Sequence, residues 1–168
     1  MKKISGFTLV ELLVVIAMIG LLMAFGLPAM GTYVKNDRLT TQINTLVAHM
    51  AYARSEAVLR RQQVGLCASD DGSGCNSKNW ADGWILFVDA DGDSTFKAGE
   101  EILRVNQPLS GSNTLTSTFV DNFVYDRRGF SAVGTGSFSL CDDRGVSHLK
   151  SISISNTGRV RQGGAVAC

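Results

Sequence analysis

Proline is scarce in this chain, two residues in 168, and the 18 glycines are unevenly spread, which excludes a collagen-like or linker-dominated polypeptide. Charge is sparse as well. Charged residues make up 18% against 45% apolar, a balance that excludes long disorder. The length suits one globular unit with a real core and is thin for two. Catalytic signatures are missing too: there is no G-x-S-x-G elbow, no H-E-x-x-H helix and no phosphate loop with its lysine. His49 reads as a helix-face residue, His148 has no triad context, and the glycine-rich stretch Gly129 to Gly136 reads as turns. We expect no catalytic activity and no cofactor. The net charge of only +1 conceals a segregated layout: residues 70–101 hold eight acids and two bases, residues 104–168 seven bases and four acids. A polyanion could find a basic patch at the C-terminal end, although a basic coat over the whole protein is excluded.

Charge is absent altogether from Leu12 to Val34, 23 positions that follow a basic start, MKKISG. At about 1.5 Å per helical residue this run reaches roughly 35 Å, enough to cross a hydrocarbon core. Lys2 and Lys3 would hold the first residues at the cytoplasmic surface and leave everything after Lys35 outside. Gly26-Leu27-Pro28-Ala29 is a poor signal-peptidase site, so the apolar segment should be retained. Glu11 stands at the head of the run, where an unpaired charge costs a few kcal/mol. Such an acid needs a partner, and the cationic N-terminus of a neighbouring subunit in an apolar helix bundle would serve.

The residues KKISG-FTLVEL resemble the leader of type IV pilins and pseudopilins: a short basic peptide ending in Gly6, then Phe7, then Glu11. The resemblance implies cleavage after Gly6 by a prepilin peptidase, N-methylation of Phe7, and assembly through Glu11 with other pilins, major and minor. Before assembly the subunit would sit in the inner membrane with its globular part in the periplasm, and afterwards in an extracellular pilus. Gly20 and Pro28 fit it too, since pilin helices loosen between such residues in the filament and proline disfavours a helix interior.

Beyond the apolar run, Leu39, Ile43, Leu46, Val47, Met50, Ala57 and Val58 recur at three-to-four spacing, predicting an amphipathic helix to about Arg61. The period then falls to two, predicting short strands at Gln63–Ala68, Gly83–Asp89, Glu101–Asn106, Asn113–Val120, Phe123–Tyr125, Ser137–Cys141, Leu149–Ser155 and Gly158–Arg161. Alternation of Ile102, Ile152, Ile154 and Val160 with polar neighbours predicts sheets with one buried and one wet face. The fold class is α+β, one long N-terminal helix on antiparallel sheets. The segments AYARSEAVLRRQQVGLC, GWILFVDADGD and GEEILR resemble the GspH/FimT/FimU group of minor pilins and pseudopilins. The implied organisation is a leader (1–6), a transmembrane or filament-core helix (7–34) and a globular pilin domain (35–168).

Four cysteines, Cys67, Cys75, Cys141 and Cys168, lie on the oxidising side of the membrane and favour two disulfides. Of three pairings, proximity favours Cys67 with Cys75, leaving Cys141 with Cys168 to tie down the last residues. No paired C-x-x-C units exist to make a zinc site. Asp89, Asp91 and Asp93 with Glu100 and Glu101 resemble a calcium loop, but Ser94 stands where the sharp turn requires glycine. An acidic loop closing a β-hairpin is the expected reading, with no metal; a calcium-binding loop is the lesser alternative.

The stretch Ser151-Ile-Ser-Ile-Ser-Asn-Thr-Gly-Arg-Val-Arg carries the functional expectation. Asn156, Thr157 and Gly158 supply a tight turn, and if Val160 faces the core both Arg159 and Arg161 face solvent on one side. Two strand steps separate them by about 6.6 Å, so both guanidiniums can reach neighbouring phosphates on one nucleic-acid strand. Lys150, Arg144, Arg127 and Arg128 could extend the patch. Gly158-Arg159-Val160-Arg161 is similar to the G-R-x-R pattern of FimT-type DNA-receptor minor pilins. The resemblance implies non-specific binding of extracellular double-stranded DNA and a role in DNA uptake during natural transformation. Two other functions fit the same leader, a structural tip or priming pilin of the FimU kind and a GspH-type pseudopilin of type II secretion.

Overall fold

The computed structural model describes residues 6–119 and 122–164, and the side chains of residues 25–29 lie outside that description. The chain divides into two compact units, Met1–Asp37 and Arg38–Cys168. Helix α1 runs from Leu9 to Arg60. Its start is capped by Thr8, whose Oγ1 accepts from the Glu11 N–H at 3.2 Å, the T-x-x-E arrangement of a helix N-terminus. No interruption of α1 occurs between Gly20 and Pro28; proline deletes one backbone hydrogen bond, and the turns on either side persist without it.

In the first unit the described apolar side chains are exposed, from Phe7 at 84% through Leu13 at 57% to Met30 at 65%. Among the described residues no helix is long and apolar enough to cross a membrane. The uncharged run expected to span one includes residues 25–29.

The second unit builds its core on Leu39, Ile43, Leu46, Met50, Ala53 and Ala57 of α1, all buried at alternating steps of four and three. Val58, expected on this stripe, is 49% exposed; it follows the buried Ala57 directly and so points about 100° away around the helix. Eight strands follow: β1 Gln63–Ala68, β2 Trp84–Asp89, β3 Ile102–Asn106, β4 Thr114–Ser117, β5 Asn122–Tyr125, β6 Gly136–Cys141, β7 Lys150–Ile154 and β8 Val160–Gln162. They form two antiparallel sheets, ordered β3-β2-β1-β5 and β4-β6-β7-β8. Short 3-10 turns at Trp80–Asp82 and Gly145–His148 were not apparent from the sequence pattern.

One face of each sheet joins the helix core, with Phe123, Tyr125, Phe138, Leu140, Ile152 and Ile154 among its members. The wet second face expected for the first sheet is absent on β1 and β2. Cys67, Ile85 and Phe87 form a second buried cluster there, covered by Phe96 and Ile102. Phe96 packs edge-on against Phe87 at 5.3 Å. Gly65 makes the room, because a Cβ there would stand 2.3 Å from the Phe87 ring. Two-sided burial explains why Trp84–Asp89 reads as a continuous apolar run and not as an alternation.

Candidate nucleic-acid interface

Strand β8 lies at the edge of the second sheet, pairing with β7 so that Ile154 meets Val160 and Ser153 meets Arg161. Arg159 and Arg161 are exposed, while Val160 between them is half-buried and packs on the core. Strand alternation therefore puts both arginines on the outer face, beside Ser153. Neither has an ion-pair partner among the described residues. Some basic side chains of this unit are engaged: Arg60 binds Glu56 and Glu101, each at 2.6 Å, and Arg104 lies 4.5 Å from the centre of the Tyr52 ring.

The turn feeding β8 is held from three sides. Gly158 N–H donates to Ser155 O at 2.8 Å, Arg54 Nη2 donates to Thr157 O at 3.0 Å, and Tyr125 Oη donates to Gly158 O at 3.2 Å. Burial raises the Tyr125 phenol to about 12, against the opposing charge of Arg54, so it remains a donor at every physiological pH. Gly158 has φ +72°, and a Cβ on it would meet Gly129 O at 2.2 Å. Only glycine fits here.

Gly129 belongs to a second turn, Asp126–Phe130. Asp126 Oδ1 accepts from the N–H groups of Arg128 at 2.8 Å and Phe130 at 2.9 Å, and Asp126 Oδ2 accepts from Arg128 Nε and Nη2 at 3.0 and 2.9 Å. Partial burial works against ionisation of this carboxyl, and these donors outweigh it, holding its pKa below the ordinary value. Arg127 is exposed and without a partner among the described residues. Arg54 reaches both turns, its Nε lying 3.0 Å from where a Gly129 Cβ would be. Arg54, Tyr125 and Gly129 escaped sequence reasoning, for no local signal links residues 54, 125, 129 and 158.

Two expected members of the patch sit elsewhere. Arg144 is committed to Asp142, with Nη2 at 2.6 Å from Oδ2 and only 16% of its side chain exposed; this ion pair lowers the Asp142 carboxyl pKa and removes Arg144 from the surface. Lys150 is exposed, but it shares its parity along β7 with the buried Ile152 and Ile154. It therefore projects from the face opposite Arg161, at the strand end.

Gly6 and Phe7 are exposed and precede α1, and Glu11 sits in its first turn. Cys67 and Cys75 form a disulfide with Cα atoms 5.5 Å apart. Cys141 is disulfide-bonded too, and its expected partner, Cys168, lies outside the described residues. Beyond β8, Gly163 and Gly164 take φ of +95° and +96°, and a Cβ on Gly164 would stand 2.7 Å from Ser153 Cβ, so the chain turns back over β7.

Carboxylate oxygens of Asp89, Asp91 and Asp93 come within 4.8 Å of one another. Protein groups satisfy them. The Lys97 ammonium bridges Asp91 and Asp93, and Asp89 accepts from the Gly92 and Ser94 N–H groups at 2.7 and 2.8 Å. The Lys97 and Thr95 side chains are the foremost causes holding Asp93 down at about 2. Ser94 itself takes φ +66°, supplying the turn without glycine.

A basic leader, a long N-terminal helix and two antiparallel sheets define a pilin-like subunit. The chain belongs to the family described as Type II transport protein GspH, whose profile matches residues 42–158. Residues 1–27 match the Prokaryotic N-terminal methylation motif. Pilin-like protein PilA1 of Thermus thermophilus is 32% identical over 96 residues, covering 57% of this chain and 55% of that protein. Prepilin peptidase-dependent protein D of Escherichia coli is 39% identical over 72 residues, covering 43% and 42%. The chain thus spans about half the length of the curated relatives it matches. In fold it is similar to the type IV minor pilin FimU of Pseudomonas aeruginosa, with TM-score 0.61, 22% identity and coverage of 79% of this chain and 92% of that one. The minor pseudopilin EpsH of the Vibrio cholerae Type 2 Secretion System gives TM-score 0.53 and 10% identity, covering 75% and 96%.

Proposed function

We propose that this chain is a minor type IV pilin that binds double-stranded DNA through Arg159 and Arg161 and promotes DNA uptake in natural transformation. The observation that carries the reading is the pair of exposed arginines that flank Val160, one just before β8 and one within it, fixed by the Gly158 turn and left without carboxylate partners among the described residues. Contacts of this kind engage phosphates, bind without reading sequence and weaken with salt. In this reading prepilin peptidase cuts after Gly6, Phe7 becomes the methylated N-terminus, and residues 7–34 hold the subunit in the inner membrane before assembly. Glu11 then meets the amine of a neighbouring pilin, and the exposed apolar side chains described between Phe7 and Met23 and between Met30 and Val34 find cover in lipid or in the filament. A gel-shift titration of residues 35–168, which include the whole compact second unit, tests the site: the wild type retards duplex DNA at low salt and Arg159→Ala/Arg161→Ala does not. Equal retardation by both would remove the mechanism.

Family membership also supports a structural reading, a tip or priming subunit of a pilus or a type II secretion pseudopilin, in which the arginines are bystanders. Deleting the gene would then abolish the filament as well as transformation. Loss of transformation with normal filaments favours the DNA-binding reading.

A further inference from the structure

We infer that the DNA site has two rows of cations, one on each turn, and that they straddle the minor groove of a duplex. The inference rests on the DNA-binding reading above. Gly129 and Gly158 bring the Asp126–Phe130 and Asn156–Arg159 turns into backbone contact, with no space for a methyl group between them. Arg54 ties the Asn156–Arg159 turn to the helix through Thr157 O and lies against Gly129 of the other turn, and Ser131 N–H donates to Asn156 O at 3.0 Å, joining the segments directly. Arg127 and Arg128 belong to one of the two joined turns, beside Asp126 and the loop at residues 89–92, and Arg159 and Arg161 follow from the other.

The composition of the surface selects the ligand. Arg127 is unpaired among the described residues, and Arg128 is 74% exposed although it holds Asp126. A single strand offers one row of phosphates and would leave one row of arginines idle. Single-strand binders also present free aromatic faces for base stacking. Phe130 is the aromatic ring of this surface, and the Arg128 guanidinium already lies over it, 5.3 Å from its centre. A duplex offers two phosphate rows across a minor groove ~6 Å wide, a span suited to two turns in backbone contact.

Fluorescence anisotropy with residues 35–168, a 20-base-pair A·T-rich duplex and its single strand separates the possibilities. The wild type should bind the duplex at least fivefold tighter, and netropsin, which fills the minor groove, should displace it. Arg127→Ala should lower duplex affinity and flatten the slope of log K against log salt by about 0.9, one phosphate contact; Arg127→Glu should weaken binding further. Equal affinity for duplex and single strand, indifference to netropsin, or an unaltered slope in both Arg127 variants overturns the two-row site. If those variants bind normally while Arg159→Ala/Arg161→Ala loses affinity, the one-row reading stands and this inference alone falls. Normal binding by all of them defeats both.

Discussion

Replacing Gly158 by alanine tests how the arginines are held in place. The residue sits at φ +72°, where an L side chain costs roughly 1–2 kcal/mol. Its new Cβ would lie 2.2 Å from Gly129 O, a backbone atom that no rotamer change can move. One turn must therefore withdraw, lengthening the Tyr125–Gly158 or the Arg54–Thr157 hydrogen bond, each contributing about 1 kcal/mol. Together these give a destabilisation of about 2–4 kcal/mol, which lowers the melting temperature of a domain this size by roughly 10 °C. Gly134→Ala is the control, since Gly134 has φ +90° but nothing within 4 Å of the added methyl; it should cost about 1–2 kcal/mol from strain alone. Urea unfolding of residues 35–168 followed by fluorescence measures both. If Gly158→Ala costs no more than Gly134→Ala, the contact between the two turns is not a constraint, and the argument built on it fails.

Other consequences can be checked with the same material. Trp84 Nε1 donates to His49 Nδ1 at 3.0 Å, and burial, reinforced by Arg104, lowers the His49 pKa below its ordinary 6.5. The folded state thus favours neutral imidazole, and that stability is full above pH 6.5 and is lost as pH falls through 6.5 toward the lower folded value. His49→Gln should flatten the dependence of the urea midpoint between pH 7 and pH 5, and an unaltered profile would contradict the assignment. Breaking the Cys67–Cys75 bridge, which spans a sequence separation of 8, should cost about 2.5 kcal/mol by loop entropy; a denaturation midpoint equal to wild type in Cys67→Ala/Cys75→Ala would refute this. Lys97 already bridges Asp91 and Asp93, so millimolar calcium should leave the melting temperature where it was. A rise of several degrees would show that the cation displaces the lysine.

Strand positions were legible because the residue period itself signals them: β1 falls at Gln63–Ala68 as the alternation predicts, and the other strands agree within a few residues. The Arg159-Val160-Arg161 alternation was legible for the same reason. What could not be read is set by contacts distant in sequence. The cover that Phe96 places over Phe87 depends on a loop folding back, and the meeting of Gly129 with Gly158 depends on how two sheets close on one helix. Arg144 illustrates the limit from the other side. A charge count places it in the basic tail, but Asp142 two residues earlier captures it locally. For Lys150, net charge carries no face, and only the register of β7 with β8 puts it opposite Arg161.

The measurement closest to the central claim is the salt dependence of duplex binding by residues 35–168, wild type beside Arg159→Ala/Arg161→Ala. Two lost phosphate contacts should weaken binding and reduce the slope of log K against log salt by about 1.8. Wild-type slope and affinity in the double variant would contradict the account.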